Sequence, residues 1–92
     1  MSDFTKAIEI NSNYSLALVN RAAVFQLQKK YTLALADLNK AIELNSTNGI
    51  AYLNRGISRE MLRDVDGACQ DWQKASDLGI NKGREYYINN CE

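Results

Sequence analysis

The chain has 92 residues, 46% of them hydrophobic, with eleven basic and eleven acidic side chains. A length of this order suits one small domain, which buries only roughly 60–65% of the surface its unfolded chain exposes. Charge that balances, with no run of like sign longer than Lys29-Lys30, argues against nucleic acid or an anionic membrane as partner, because both are held by a concentrated positive field.

Proline is absent and there are only five glycines, so the strongest helix breakers are missing from most of the chain. Taken in order, residues 1–14 carry Phe4, Ala7, Ile8 and Ile10 as an apolar stripe. Residues 15–28 carry Leu16, Ala17, Leu18, Val19, Ala22, Ala23, Phe25 and Leu27, which cover more than one face of a helix. In 31–44, Leu35, Leu38, Ala41 and Ile42 recur at three- and four-residue steps. The polar Gln28-Lys29-Lys30 between these two stretches predicts a short turn and an antiparallel helical hairpin. A second hairpin follows. Its first helix is predicted over 49–62, with Thr47 or Asn48 as N-cap, and its second over 65–78, entered past Asp64 and ended by Gly79. The end of the chain, 83–92, reads as a final helix whose Tyr86, Tyr87 and Cys91 cover the last hairpin.

The stretch "KAIEINSN" at Lys6 returns as "KAIELNST" at Lys40 and more loosely as "KASDLGIN" at Lys74. Laid over 49–82 without a gap, 15–48 pairs Ala17 with Ala51, Asn20 with Asn54, Arg21 with Arg55, Ala34 with Ala68, Asp37 with Asp71 and Ala41 with Ala75. Asp3, Lys6 and Ala7 fall in the same register, so 1–14 is expected to be the second helix of a truncated copy and the N-terminus a cut end. The expected organisation is a single domain over 1–92, made of 1–14, the full copies 15–48 and 49–82, and a capping helix over 83–92.

A repeated helix-turn-helix of this length resembles the tetratricopeptide repeat. Leu18, Ala22, Phe25, Ala34, Leu38 and Ala41 take the family's key positions in the first copy, and Tyr52, Gly56, Arg59, Ala68, Trp72 and Ala75 take them in the second. The small residues match best, and they allow two helix axes to approach closely while Phe25, Leu38 and Trp72 fill the space around them. Departures are Arg21 and Arg55 for the leucine, Arg59 for the aromatic, Ser46 and Ile80 for the proline, and Lys29 and Arg63 where the family often turns on glycine. A left-handed backbone at the last two would cost on the order of 1 kcal/mol. The resemblance implies an all-α fold, with antiparallel helix hairpins stacked as a right-handed α-solenoid.

The inventory for chemistry is short. There is no histidine, hence neither the usual neutral-pH base nor the commonest metal ligand. Asp3, Asp37 and Asp71 recur once per repeat, too far apart for a hydrolytic pair, which needs roughly 5–10 Å. They are expected to pair with Arg21 and Arg55, which share their period. Cys69 and Cys91 lack CxxC spacing and are too few for a disulfide framework, so no disulfide is expected. Asn13-Tyr14-Ser15 and Asn45-Ser46-Thr47 match the N-glycosylation pattern but read as polar turns. No catalytic residue, cofactor or metal site is expected, and the chain is read as no enzyme.

The resemblance implies a binding role on the concave face, lined by the first helix of each pair. Helical spacing puts Leu16, Val19, Asn20, Ala23, Gln26 and Leu27 there in the first copy, and Ile50, Leu53, Asn54, Ile57, Glu60 and Met61 in the second. The partner-binding set is therefore Leu16, Val19, Asn20, Ala23, Leu27, Ile50, Leu53, Asn54, Ile57 and Met61. Asn20 and Asn54 each offer the donor and acceptor that a peptide backbone needs, or else join neighbouring helices. Some members of the family clamp a C-terminal carboxylate with lysines, asparagines and an arginine. Here Asn54 matches a clamp asparagine and Arg84 can imitate a basic member, but Val19, Ala23 and Ile88 take the places of a lysine, an asparagine and the arginine. An apolar lining favours apolar side chains over a charged terminus. The expected partner is a protein or peptide with apolar side chains, not nucleic acid and not membrane. The alternative is self-assembly into homo-oligomers through the same apolar surface and the truncated first helix. With no secretory signal or membrane span in the letters, the expected location is cytoplasmic.

Overall fold

A computed structural model describes residues 12–91, and the expectations for the stripe over 1–11 and for Asp3 lie outside the described residues. Within them the chain is all-helical: α1 (Ser12–Leu27), α2 (Tyr31–Leu44), α3 (Gly49–Met61), α4 (Val65–Asp77) and α5 (Asn81–Cys91). Each helix packs chiefly on its sequence neighbour, and α1 also touches α3 across the stack. The first helix is already formed at Ser12, three residues before its periodicity indicates, and the last is already formed at Asn81, two residues before the expected 83. Gln28, Leu62 and Leu78, expected as the last helical residues, instead lie in the turns.

Three helices end alike. After α1, Lys30 N–H donates to Phe25 O at 2.8 Å and Lys29 N–H to Gln26 O at 3.0 Å. After α3, Asp64 N–H donates to Arg59 O and Arg63 N–H to Glu60 O, and after α4 Ile80 N–H reaches Ala75 O and Gly79 N–H reaches Ser76 O. This is the Schellman pattern, which needs a left-handed residue just past the helix. Lys29 (φ 60), Arg63 (φ 72) and Gly79 (φ 91) supply it. Only one of the three is the glycine that adopts this conformation without strain. At the helix starts, Asn48 Oδ1 accepts from Ile50 N–H and Ala51 N–H, and Asp64 Oδ1 accepts from Gly67 N–H. Of the two candidate caps for α3, Asn48 is thus the one used.

Two cores follow the duplication. Leu18, Val19, Ala22, Ala34, Leu38, Ala41 and Ala51 are buried together, with Phe25 packed against them. The second joins Tyr52, Leu53, Ala68, Trp72 and Ala75, with Tyr86, Tyr87 and Cys91 of α5 packed on it. Close approach of α3 and α4 depends on Gly56, where a Cβ would fall 2.5 Å from Trp72 Nε1. Each hairpin is also crossed by a two-point ion pair: Arg21 Nε and Nη2 on Asp37, both at 2.7 Å, and Arg55 Nε and Nη2 on Asp71 at 3.0 and 2.8 Å. The expected pairing therefore holds within each hairpin. Arg55 extends it across the stack, donating to Asn39 Oδ1 at 3.2 Å. Hydrogen bonding to Asp37, reinforced by its charge, raises the pKa of Arg21.

One expectation is corrected. Cys69 and Cys91 form a disulfide, their Cα atoms 5.9 Å apart across a sequence separation of 22 residues. Antiparallel packing of α4 and α5 sets the last turn of α5 beside the start of α4, so residues remote in sequence meet without any local motif.

Candidate functional site

On α1, Leu16, Asn20, Ala23 and Leu27 recur at helical spacing along one face, and on α3 Ile50, Asn54, Ile57 and Met61 do the same in the register of the repeat. Leu16, Asn20, Leu27, Ile50 and Met61 are exposed, while Ala23, Asn54 and Ile57 are half-buried. The result is two neighbouring stripes, each with apolar ends and an amide between them. Val19 and Leu53 have another place: at 4% and 9% exposure they belong to the two cores.

The seam between α1 and α3 explains the burial of Val19, while Leu53 is buried in the second core against α4 and α5. Val19 shares its core with Ala51 of α3. Alongside it, Gln26 Nε2 donates to Asn54 O and to the buried Ser58 Oγ, both at 2.8 Å. Gln26 is thereby committed to joining the two helices, and it uses the backbone of Asn54 rather than its side chain. Among the described residues neither the Asn20 nor the Asn54 side-chain amide takes part in a hydrogen bond. Both retain donors and an acceptor for a ligand or for water. No cation stands at Val19, Ala23 or Ile88, the positions a carboxylate clamp would use.

Two grooves lie at the α4–α5 seam, where periodicity gave no warning. One, of about 390 Å³, is lined by Cys69, Gln70, Gln73, Lys74, Asp77 and Tyr87. The other, of about 360 Å³, is lined by Gln73, Ser76, Arg84, Tyr87 and Ile88. Arg84 and Ile88, both singled out in the sequence beside the clamp pattern, are in register with Ile50 and Asn54 and line this end of the array. The same overlay sets Cys69 and Cys91 on Leu35 and Ile57, both half-buried in the structure. Among the described residues no group of three or more His, Cys, Asp or Glu side chains is placed to hold a metal ion, and no helix is long and apolar enough to cross a membrane.

Stacked antiparallel hairpins, tied at equivalent positions by the same arginine–aspartate pair, define a helical-repeat protein. Residues 15–48 match the tetratricopeptide repeat family model, and the hairpin of α3 and α4 follows the same plan. No curated protein and no solved structure gives a significant match.

Proposed function

We propose that the chain is a non-catalytic protein-binding module that seats an apolar peptide segment of a partner protein on the paired stripes of α1 and α3. The observation that carries this reading is the in-register repetition of a face with exposed apolar ends and a partly exposed middle, Leu16-Asn20-Ala23-Leu27 and Ile50-Asn54-Ile57-Met61. Apolar side chains of a ligand gain on the order of 25 cal/mol per Å² buried there, and the two amides grip its backbone, as in other grooves that bind extended segments. The partner class is a segment bearing Leu, Ile, Phe or Met, because the stripes offer no cation to compensate a buried carboxylate. The cytoplasmic location expected from the sequence is a companion proposal. The Cys69–Cys91 disulfide weighs against it, since such bonds are rare in a reducing cytosol, and the redox state of the two cysteines in the cell decides between the cytosol and an oxidising compartment.

The test is a screen of a peptide display library against the folded chain, followed by titration of selected peptides into the Asn20→Ala/Asn54→Ala double variant. The reading predicts apolar consensus peptides whose affinity falls about tenfold or more in the variant, as expected when polar partners in an interface are left unpaired. Unchanged affinity would remove the backbone-gripping role.

A further inference from the structure

The last helix is held differently from those before it. Charged side-chain hydrogen bonds cross from α1 to α2 and from α3 to α4. In α5, among the described residues, the side-chain hydrogen bond stays within the helix, from Asn90 Nδ2 to Tyr86 O at 2.8 Å. Its eleven residues are rich in weak helix formers, Gly83, Tyr86, Tyr87, Ile88 and three asparagines among them. That falls below the roughly 12–15 residues at which even a good isolated helix becomes marginal.

Contacts along its first half and middle and one covalent bond at its end fix it to the rest of the chain, with Tyr87 packed on the second core between them. Near the start, Gly83 is seated so closely that a Cβ would lie 2.7 Å from Ala75 Cβ and 2.8 Å from Trp72 O. Tyr86 follows, its ring centroid 5.3 Å from that of Trp72. At the far end the anchor is the bond from Cys91 to Cys69. One repeat earlier the equivalent pair is Leu35 and Ile57, so a covalent link stands at the end of the described array where apolar side chains stand inside it. Neither cysteine is fully buried, and the larger seam groove opens beside Cys69. Accessible disulfides are the ones that exchange with thiols, whereas enclosed ones resist reduction.

We propose that Cys69–Cys91 is a redox latch on the C-terminal half of α5. A dithiol reductant attacks one sulfur, the S–S bond breaks, and a mixed disulfide forms. The second thiol of the reductant then displaces the remaining cysteine. Two electrons and two protons pass to the Cys69 and Cys91 sulfurs, and the reductant leaves as its own disulfide. Freed of its far anchor, the last turn of α5 frays from α4, while Gly83 and Tyr86 keep the first turns docked. A disulfide oxidant such as oxidised glutathione closes the latch again by the reverse exchange, taking the two electrons and two protons and leaving as two thiols.

The test is hydrogen exchange on the full chain, oxidised with oxidised glutathione or reduced with dithiothreitol, each state verified by intact mass. Reduction is expected to lower protection in 87–91 by about tenfold or more while leaving α3 about unchanged, the pattern of a local opening. Cys91→Ser is expected to match the reduced chain and to ignore dithiothreitol. Equal protection of 87–91 in both states, loss spread evenly over all helices, or failure of the two cysteines to join under oxidised glutathione would each overturn the latch.

Discussion

Arg55 grips Asp71 through two parallel hydrogen bonds, and the Asp71 side chain is left only 3% exposed. Arg59 Nη1 adds a third bond to the same carboxylate at 3.0 Å. One repeat earlier, Asp37 has Arg21 as its one cationic partner among the described residues, and that arginine side chain is 62% exposed. Removing one member of a buried pair leaves charge uncompensated, whereas an exposed partner is rescued by water. Asp71→Ala is therefore expected to lower unfolding free energy by on the order of 3 kcal/mol, and Asp37→Ala by about 1 kcal/mol. Urea denaturation of both variants checks the order, and equal losses would contradict it.

Lys29 and Arg63 hold left-handed backbone at the end of α1 and α3, as Gly79 does after α4. Their side chains gain nothing from that conformation that glycine would forfeit, apart from surface charge. Lys29→Gly and Arg63→Gly are each expected to stabilise the chain, by about 0.5–1 kcal/mol after the greater flexibility of glycine in the unfolded state is set against the relieved strain. The thermal midpoint should rise in each variant and rise further in the double variant, since the two turns are separate sites.

Gly56 shows the opposite case. Alanine is favoured over glycine inside a helix by about 1 kcal/mol, yet here its methyl group would press on the Trp72 ring, which is 1% exposed and has no room to turn. Gly56→Ala is expected to destabilise by about 1–3 kcal/mol, the usual range for overpacking. A rise in the denaturation midpoint would mean that α3 and α4 separate more easily than their packing indicates.

Much of this architecture is legible in the letters because the physics behind it is local. Helix α2 begins at Tyr31 and ends at Leu44 as its periodicity indicates, and Asn48 and Asp64 cap because their side chains reach backbone N–H groups two or three residues on. The arginine–aspartate pairs follow from a shared period. What escaped is what depends on how hairpins stack. A helical projection puts Val19 and Leu53 on the same face as Leu16 and Ile50, but only the neighbouring helix decides which side of that face is a seam. Cys69 and Cys91 meet for the same reason, through the antiparallel course of α4 and α5.

If the stripes of α1 and α3 serve a foreign segment, the chain alone should be monomeric. Sedimentation equilibrium over a wide concentration range is expected to give one species of 10.4 kDa. A dimer that disappears in Leu27→Glu or Met61→Glu would instead assign the exposed apolar face to self-assembly, because a charge placed in a dry interface is strongly unfavourable.

The most direct measurement is chemical-shift mapping of the isotope-labelled chain with a peptide selected by the display screen. The proposed function predicts that perturbations gather on Leu16, Asn20, Ala23 and Leu27 and on Ile50, Asn54, Ile57 and Met61, and spare the α4–α5 seam. Perturbations confined to Gln73, Ser76, Arg84, Tyr87 and Ile88 would contradict it and move the binding site to the end of the array.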